Sequence, residues 1–173
     1  MSDEYLDLVN EQDEVIGRKL RSEVYAERLS NFRVVNAFLI NSKGKLWIPR
    51  RGPHKKIFPL CLDMSMGGHV ESGEDYDLSF KRELLEELGI DADSTEWKLI
   101  GHLTPHKDSV SAFMNVYEIQ TDDVPKFNTD DFIEYFWLSP SELLTKIEQG
   151  EKTKGDLPKL VMKFYSPKRE EQK

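Results

Sequence analysis

The sequence predicts a single domain of the α/β or α+β class, and three observations carry that expectation. Residues 33–40, RVVNAFLI, are β-branched and apolar; they end at Asn41-Ser42-Lys43-Gly44 and return through Lys45 to Ile48, which is the composition of two strands and a tight turn. Residues 76–88 set Leu78, Leu84, Leu85 and Leu88 opposite an arc of Glu83, Glu86 and Glu87 on a wheel advancing about 100° per residue. Ser139-Pro140-Ser141-Glu142 is a capping box with proline at the first helical position, and it starts a helix late in the chain. At 173 residues the chain is long enough to bury a core of its own.

The remaining elements follow in order. Tyr5-Leu6-Asp7-Leu8-Val9 alternates apolar and polar side chains, and Val15-Ile16-Gly17 follows the polar turn 10–14, so an amino-terminal hairpin is expected. Ser22 to Leu29 reads as a short helix capped by Ser22, completing an amino-terminal unit over residues 1–30. The strand from Lys45 is expected to close at Pro49, before a basic loop, Arg50-Arg51-Gly52-Pro53-His54-Lys55-Lys56. Phe58 to Cys61 reads as an apolar turn. Leu62 to Met66 then reads as a short strand running into Gly67-Gly68, where the backbone can turn sharply and approach a ligand. Asp75 is the expected N-cap and Gly89 the C′ stop of the central helix. Trp97 to Leu103 and Ser111 to Gln120 read as strands, a polar linker covers 121–131, and Ile133 to Leu138 is a last strand. The capping-box helix runs to about Gln149 and stops at Gly150. Asp156 with Pro158 starts another helix carrying Leu160, Val161, Phe164 and Tyr165, and the charged tail 168–173 is expected to fray.

Apolar residues make up 38% and charged residues 32%, as in an ordinary soluble protein. No run approaches the roughly 18 apolar residues of a membrane span, and the acidic amino terminus is unlike a signal peptide. A cytoplasmic location is the expectation. The net charge of −8 argues against a nucleic-acid polymer as partner, since such binding needs clustered cations. It leaves room for a small phosphorylated substrate, because bound divalent metal inverts the local field. Cys61 is the one cysteine, so no internal disulfide forms, and it is expected to be a packed residue.

The chemistry gathers on residues 68–90, GHVESGEDYDLSFKRELLEELGI. Carboxylates three and four apart on a helix repel one another and invite a cation, and their hard oxygens suit Mg²⁺ or Mn²⁺. Arg82 can hold Glu74 by a charge-assisted bond and so keep the preceding loop against the helix. Arg50 and Arg51, between a core strand and this segment, are candidates to meet substrate phosphates, and His69 is a candidate substrate contact. Phe58, Trp47 and Tyr117 could stack on a base, although core packing is the more ordinary use of each.

Gly68, Glu74, Arg82-Glu83-Leu84, Glu86-Glu87 and Gly89-Ile90 match at every fixed position the signature of the Nudix hydrolase family, which the chain resembles. The resemblance implies an α/β/α sandwich with a mixed β-sheet and a loop–helix–loop catalytic motif. It implies metal ligation by the Gly68 carbonyl, Glu83, Glu86 and Glu87, with Glu74 and Arg82 stabilising loop and helix. It also makes Glu134, just ahead of a strand, a candidate distant base beside the carboxylates of the helix. Residues 5–150 resemble the branch that includes isopentenyl-diphosphate isomerase. Those isomerases carry a Cys-Gly-His arrangement where this chain has Met66-Gly67-Gly68-His69, and Cys61 comes several residues too early. The runs VVNAF and LWIPRR, the glycine pair and the GDL segment at 155–157 resemble small bacterial hydrolases of nucleoside di- and triphosphates. The expectation is therefore Mg²⁺-dependent hydrolysis of a nucleotide to its monophosphate plus phosphate or pyrophosphate. The isomerase and a catalytically silent nucleotide-binding module are the alternatives. A homodimer through the amino-terminal strands is compatible with the sequence but not required by it.

Overall fold

The computed structural model describes residues 3–166, so the tail 168–173 lies outside the described residues. β1 (Tyr5–Val9) and β2 (Val15–Leu20) pair as a separate antiparallel hairpin, followed by α1 (Arg21–Ala26). The main sheet contains β3 (Arg33–Ile40), β4 (Leu46–Arg51), β5 (Met66–His69), β6 (Trp97–Leu103), β7 (Phe113–Gln120) and β8 (Phe132–Leu138). Their order is β6-β7-β3-β4-β8, with β5 also paired to β3. β3 and β7 run parallel from Arg33↔Phe113 to Ile40↔Gln120; the other pairs are antiparallel, which makes the sheet mixed.

Alternation along β3 explains the layers, because successive side chains leave a strand on opposite faces. Val35, Ala37 and Leu39 pack with Trp47, Tyr117, Phe80, Leu84 and Leu88, which seats α2 (Tyr76–Leu88) on one face. Phe38 packs with Ile48, Met114 and Val116 on the other, beneath Leu143 of α4 (Pro140–Glu148) and Leu157, Leu160 and Val161 of α5 (Leu157–Tyr165). A single turn of helix, α3 (Pro105–Asp108), joins β6 to β7. The result is the α/β/α sandwich that the resemblance implies.

β3 splits its second edge between two partners. It meets β4 at Ile40↔Leu46, beside the turn, whereas Val34 to Ala37 pair with β5. Ser65 bridges the opening: its hydroxyl accepts from the Leu39 N–H at 2.9 Å and donates to the Trp47 carbonyl at 2.6 Å. The Asp63 N–H donates to the Pro49 carbonyl at 3.0 Å. Pro49 therefore lies within β4 instead of closing it, because its missing donor points toward an edge with no strand ladder.

Three further expectations are corrected. Helix α1 begins at Arg21 with Leu20 as cap. The Leu20 N–H donates to Glu23 at 3.0 Å, while Ser22 is turned to Asp3 through both its N–H and its hydroxyl. The short strand lies at Met66–His69 and not at 62–66; Leu62 instead makes isolated bridges to Arg50 and Thr153. On α2, Leu78 and Leu85 are exposed, and the buried apolar stripe is Phe80, Leu84 and Leu88. Phe80 decides this rotation, since its ring stacks on Tyr117 at 4.1 Å between centroids, and an aromatic ring buries more area than a leucine.

Candidate active site

β5 delivers Gly67, Gly68 and His69 to the head of the loop that enters α2. The Asp75 carboxylate accepts the Leu78 N–H at 2.8 Å, and Gly89 ends the helix at φ 63°, so cap and stop sit where the sequence predicts. Between them Arg82 is the hub. Its Nε and Nη2 donate to the two carboxylate oxygens of Glu74 at 2.9 and 2.8 Å, a two-pronged, charge-assisted contact. Nη1 donates to Glu83 at 2.8 Å, Nη2 to the His69 carbonyl at 3.2 Å, and the Glu86 carboxylate lies 3.6 Å away. One side chain thus ties strand, loop and helix together.

Glu83 lies directly over Gly68. A Cβ at that position would fall 2.3 Å from Glu83 Cδ, so the absence of a side chain is what allows the carboxylate to reach the strand. Glu87 accepts the Gly67 N–H at 3.2 Å. Burial pushes the Glu83 carboxyl up to about 7; Arg82 opposes this and Glu86 adds to it. Glu87 is raised too, by burial first and then by Glu83 and Asp63. Acids that resist ionisation because of burial and one another are a site whose charge a cation would complete.

The donor chemistry fits a hard divalent ion: Glu83 against Gly68, Glu87 at the Gly67 N–H and the exposed Glu86 on the same helix are all oxygen donors. In this arrangement Glu83 and Glu86 lean toward Arg82. Among the described residues, no three acidic, cysteine or imidazole groups converge into a closed cage.

The other expected contacts are more committed to the fold. The His69 Nε2 is 2.7 Å from the Tyr25 hydroxyl and the ring stacks on Phe32; burial, then Arg21, holds the imidazole down to about 3. Arg50 pairs with Glu134, its partner across β4 and β8, and with Glu151, and donates to the Leu60 carbonyl at 3.0 Å. Arg51 donates to Asp63 at 2.7 Å and to the Ile57 carbonyl at 3.1 and 3.2 Å. Trp47 and Tyr117 are fully buried, so of the three candidate stacking rings only Phe58 is exposed. Cys61 is buried, as expected. Asp63 was not expected at all: it is almost completely buried, paired with Arg51 and close enough to raise Glu87. Its position in the opening between β4 and β5 depends on sheet topology, for which the local sequence carries no signal.

One arginine thus locks the glycine strand and the glutamate helix of an α/β/α sandwich. A NUDIX domain model matches residues 30–159, and the chain belongs to the Nudix family. It is 60% identical over 163 residues to a Nudix hydrolase of Nostoc sp., covering 94% of this chain and 96% of that one. It is 50% identical over 165 residues to a Nudix hydrolase of Deinococcus radiodurans, with 95% and 96% covered. The crystal structure of DR0079 from Deinococcus radiodurans superposes with a TM-score of 0.90 at 49% identity, covering 94% of this chain and 99% of that one. The chain is accordingly a Nudix pyrophosphohydrolase acting on a phosphoanhydride bond.

Proposed function

We propose that the enzyme hydrolyses nucleoside di- or triphosphates to the monophosphate plus phosphate or pyrophosphate, with Mg²⁺ or Mn²⁺ held by the Gly68 carbonyl, Glu83, Glu86 and Glu87. The observation that carries this is Glu83 seated over Gly68 beside Glu87, with Arg82 fixing the loop through Glu74. The cation supplies positive charge against the phosphoryl oxygens and Lewis acidity toward water. The glutamates hold it, and Glu74 with Arg82 keeps the loop registered on the helix. A carboxylate oxygen of Glu86 or Glu87 takes the proton of the attacking water. Glu134 is less suited to that role here, because its carboxylate is engaged by the Arg50 guanidinium.

The isomerase alternative needs a cysteine near the glycine turn; Cys61 is buried in the preceding loop and lies outside β5. No helix among the described residues is long and apolar enough to cross a membrane, which is compatible with the cytoplasmic, small-molecule role proposed. Val15 and Ile16, exposed on β2, are the surface through which we propose a second copy would pair. The test of the reaction is a screen of purified protein with Mg²⁺ against nucleoside di- and triphosphates, nucleotide sugars, dinucleoside polyphosphates and isopentenyl diphosphate. Phosphate or pyrophosphate release from a nucleoside di- or triphosphate is expected. Conversion of isopentenyl diphosphate alone, without phosphate release, would overturn the proposal, and so would nucleotide binding without turnover.

A further inference from the structure

We infer that Lys154, together with Asn36 and Phe58, forms a second wall of the substrate site, on the face of β5 opposite Glu83, and that Lys154 takes the phosphate chain while Phe58 takes the base. The inference deepens the nucleotide proposal and rests on it for the identity of the ligand.

Successive residues of β5 face opposite ways. The Cβ direction of Gly68 runs into Glu83, whereas that of Gly67 meets the Asn36 Oδ1 at 2.8 Å and the Lys154 Nζ at 3.6 Å. The Gly67 N–H meanwhile donates to Glu87. Gly67 therefore has Glu87 at its N–H and the Lys154 ammonium group on its Cβ side, with no side chain of its own between them.

Lys154 is held there by its backbone. Its N–H donates to the Leu62 carbonyl at 2.8 Å, and the Leu62 N–H donates to the Lys152 carbonyl at 2.9 Å. Its ammonium group is only loosely engaged: the Asp63 carboxylate is 3.9 Å away and is already bonded to Arg51 at 2.7 Å and to the Met64 N–H at 2.7 Å. Asn36 is an independent sign. Only 3% of it is exposed, yet its side-chain Nδ2 donates to the Met114 sulfur at 3.5 Å. Sulfur is a weak acceptor, so this amide keeps hydrogen-bonding capacity to offer beside Gly67.

Phe58 extends this wall. It and Leu60 adopt left-handed backbone at φ 52° and 61°, which non-glycine residues hold only where the surroundings impose it. Here Arg51 grips the Ile57 carbonyl and Arg50 the Leu60 carbonyl. Phe58 stays 40% exposed, and its Cζ lies 3.7 Å from where a Cβ would be on Gly155, the residue that follows Lys154 in sequence. An exposed ring packed on the residue that follows a cation suits a molecule with an anionic chain and a flat, apolar end.

The test measures binding without turnover, by calorimetric titration of Mg²⁺-containing protein with methylenediphosphonate and with an α,β-methylene nucleoside diphosphate. Lys154→Ala is expected to weaken methylenediphosphonate by about 10-fold or more, the effect of one charge-assisted contact, and Lys154→Arg to restore it to within about threefold of wild type. Phe58→Ala is expected to weaken the nucleotide analogue by about tenfold, the scale of one stacked base. Equal methylenediphosphonate affinity in Lys154→Ala and wild type would overturn the inference. An equal loss of Mg²⁺ affinity would also overturn it, by placing the effect on the metal ligands. If the analogues bind as expected but no nucleotide is hydrolysed, the proposed reaction fails while the assignment of Lys154 stands.

Discussion

Arg82 and the pair Arg50–Arg51 are both guanidinium groups set among carboxylates and carbonyls, yet they organise different halves of the molecule. Arg82 joins Glu74, Glu83 and the His69 carbonyl, and so fixes the segment that presents Gly68 and the glutamates. Arg50 and Arg51 join Glu134, Glu151 and Asp63 to the carbonyls of Ile57 and Leu60, and so fix the loop that displays Phe58. The first arrangement follows from helical spacing and a short loop. The second depends on contacts up to 101 residues apart in sequence. A basic run in an acidic chain is thus no direct sign of a phosphate site, because its charge can be spent on positioning a loop.

The largest losses are expected at the glutamates. Glu86→Gln and Glu87→Gln are each expected to slow turnover by about 100-fold or more, since loss of a ligand to a catalytic metal removes several kcal/mol of transition-state stabilisation. Steady-state phosphate release measures this, and activity within about threefold of wild type in both variants would remove the proposed metal site. Gly68→Ala is expected to lower activity by about 10- to 100-fold with circular dichroism unchanged, because the added methyl displaces Glu83 and small misplacements at a reacting centre are costly.

The two arginine arrangements separate in their kinetics. Arg51→Ala leaves Asp63 without its close cation and frees the Ile57 carbonyl, so we expect a loss of about 1–3 kcal/mol in urea unfolding and a several-fold rise in KM with little change in turnover. Turnover slowed by about two orders of magnitude, with stability intact, would instead return Arg51 to direct work on phosphate. The smallest effect concerns Glu74. Burial raises its carboxyl, but the bonds from Arg82 and Ser79 outweigh this and hold it below the ordinary 4.5. A depressed acid stabilises the fold above its unfolded pKa and loses that contribution as pH falls through the folded value. The stability gap between wild type and Glu74→Gln is therefore expected to be full at about pH 7 and to close below about 4.5; a gap unchanged at about pH 3 would contradict the pairing.

What was legible in the sequence was what neighbouring residues determine. The spacing from Gly68 to Ile90, the Asp75 cap, the Gly89 stop and the capping box at Ser139 stand as expected, because each is a contact within a turn or two of helix. Leu78 and Leu85 misled the helical wheel, since the choice of packing face belonged to Phe80 and its partner Tyr117 on β7. Pro49 and Leu62 misled the strand limits because the division of β3 between β4 and β5 is a property of the whole sheet. Asp63 and Lys154 were invisible for the same reason, since Asp63 nears Glu87, and Lys154 comes within 3.9 Å of Asp63, only after distant segments pair.

Whether the acidic face of α2 and the Gly68 carbonyl hold a divalent cation is decided by Mn²⁺ titration followed by electron paramagnetic resonance. The expected result is saturable Mn²⁺ binding by the wild type, competed by Mg²⁺, and weakened by about tenfold or more in Glu83→Gln, Glu86→Gln and Glu87→Gln. Wild-type affinity retained in all three variants would contradict it.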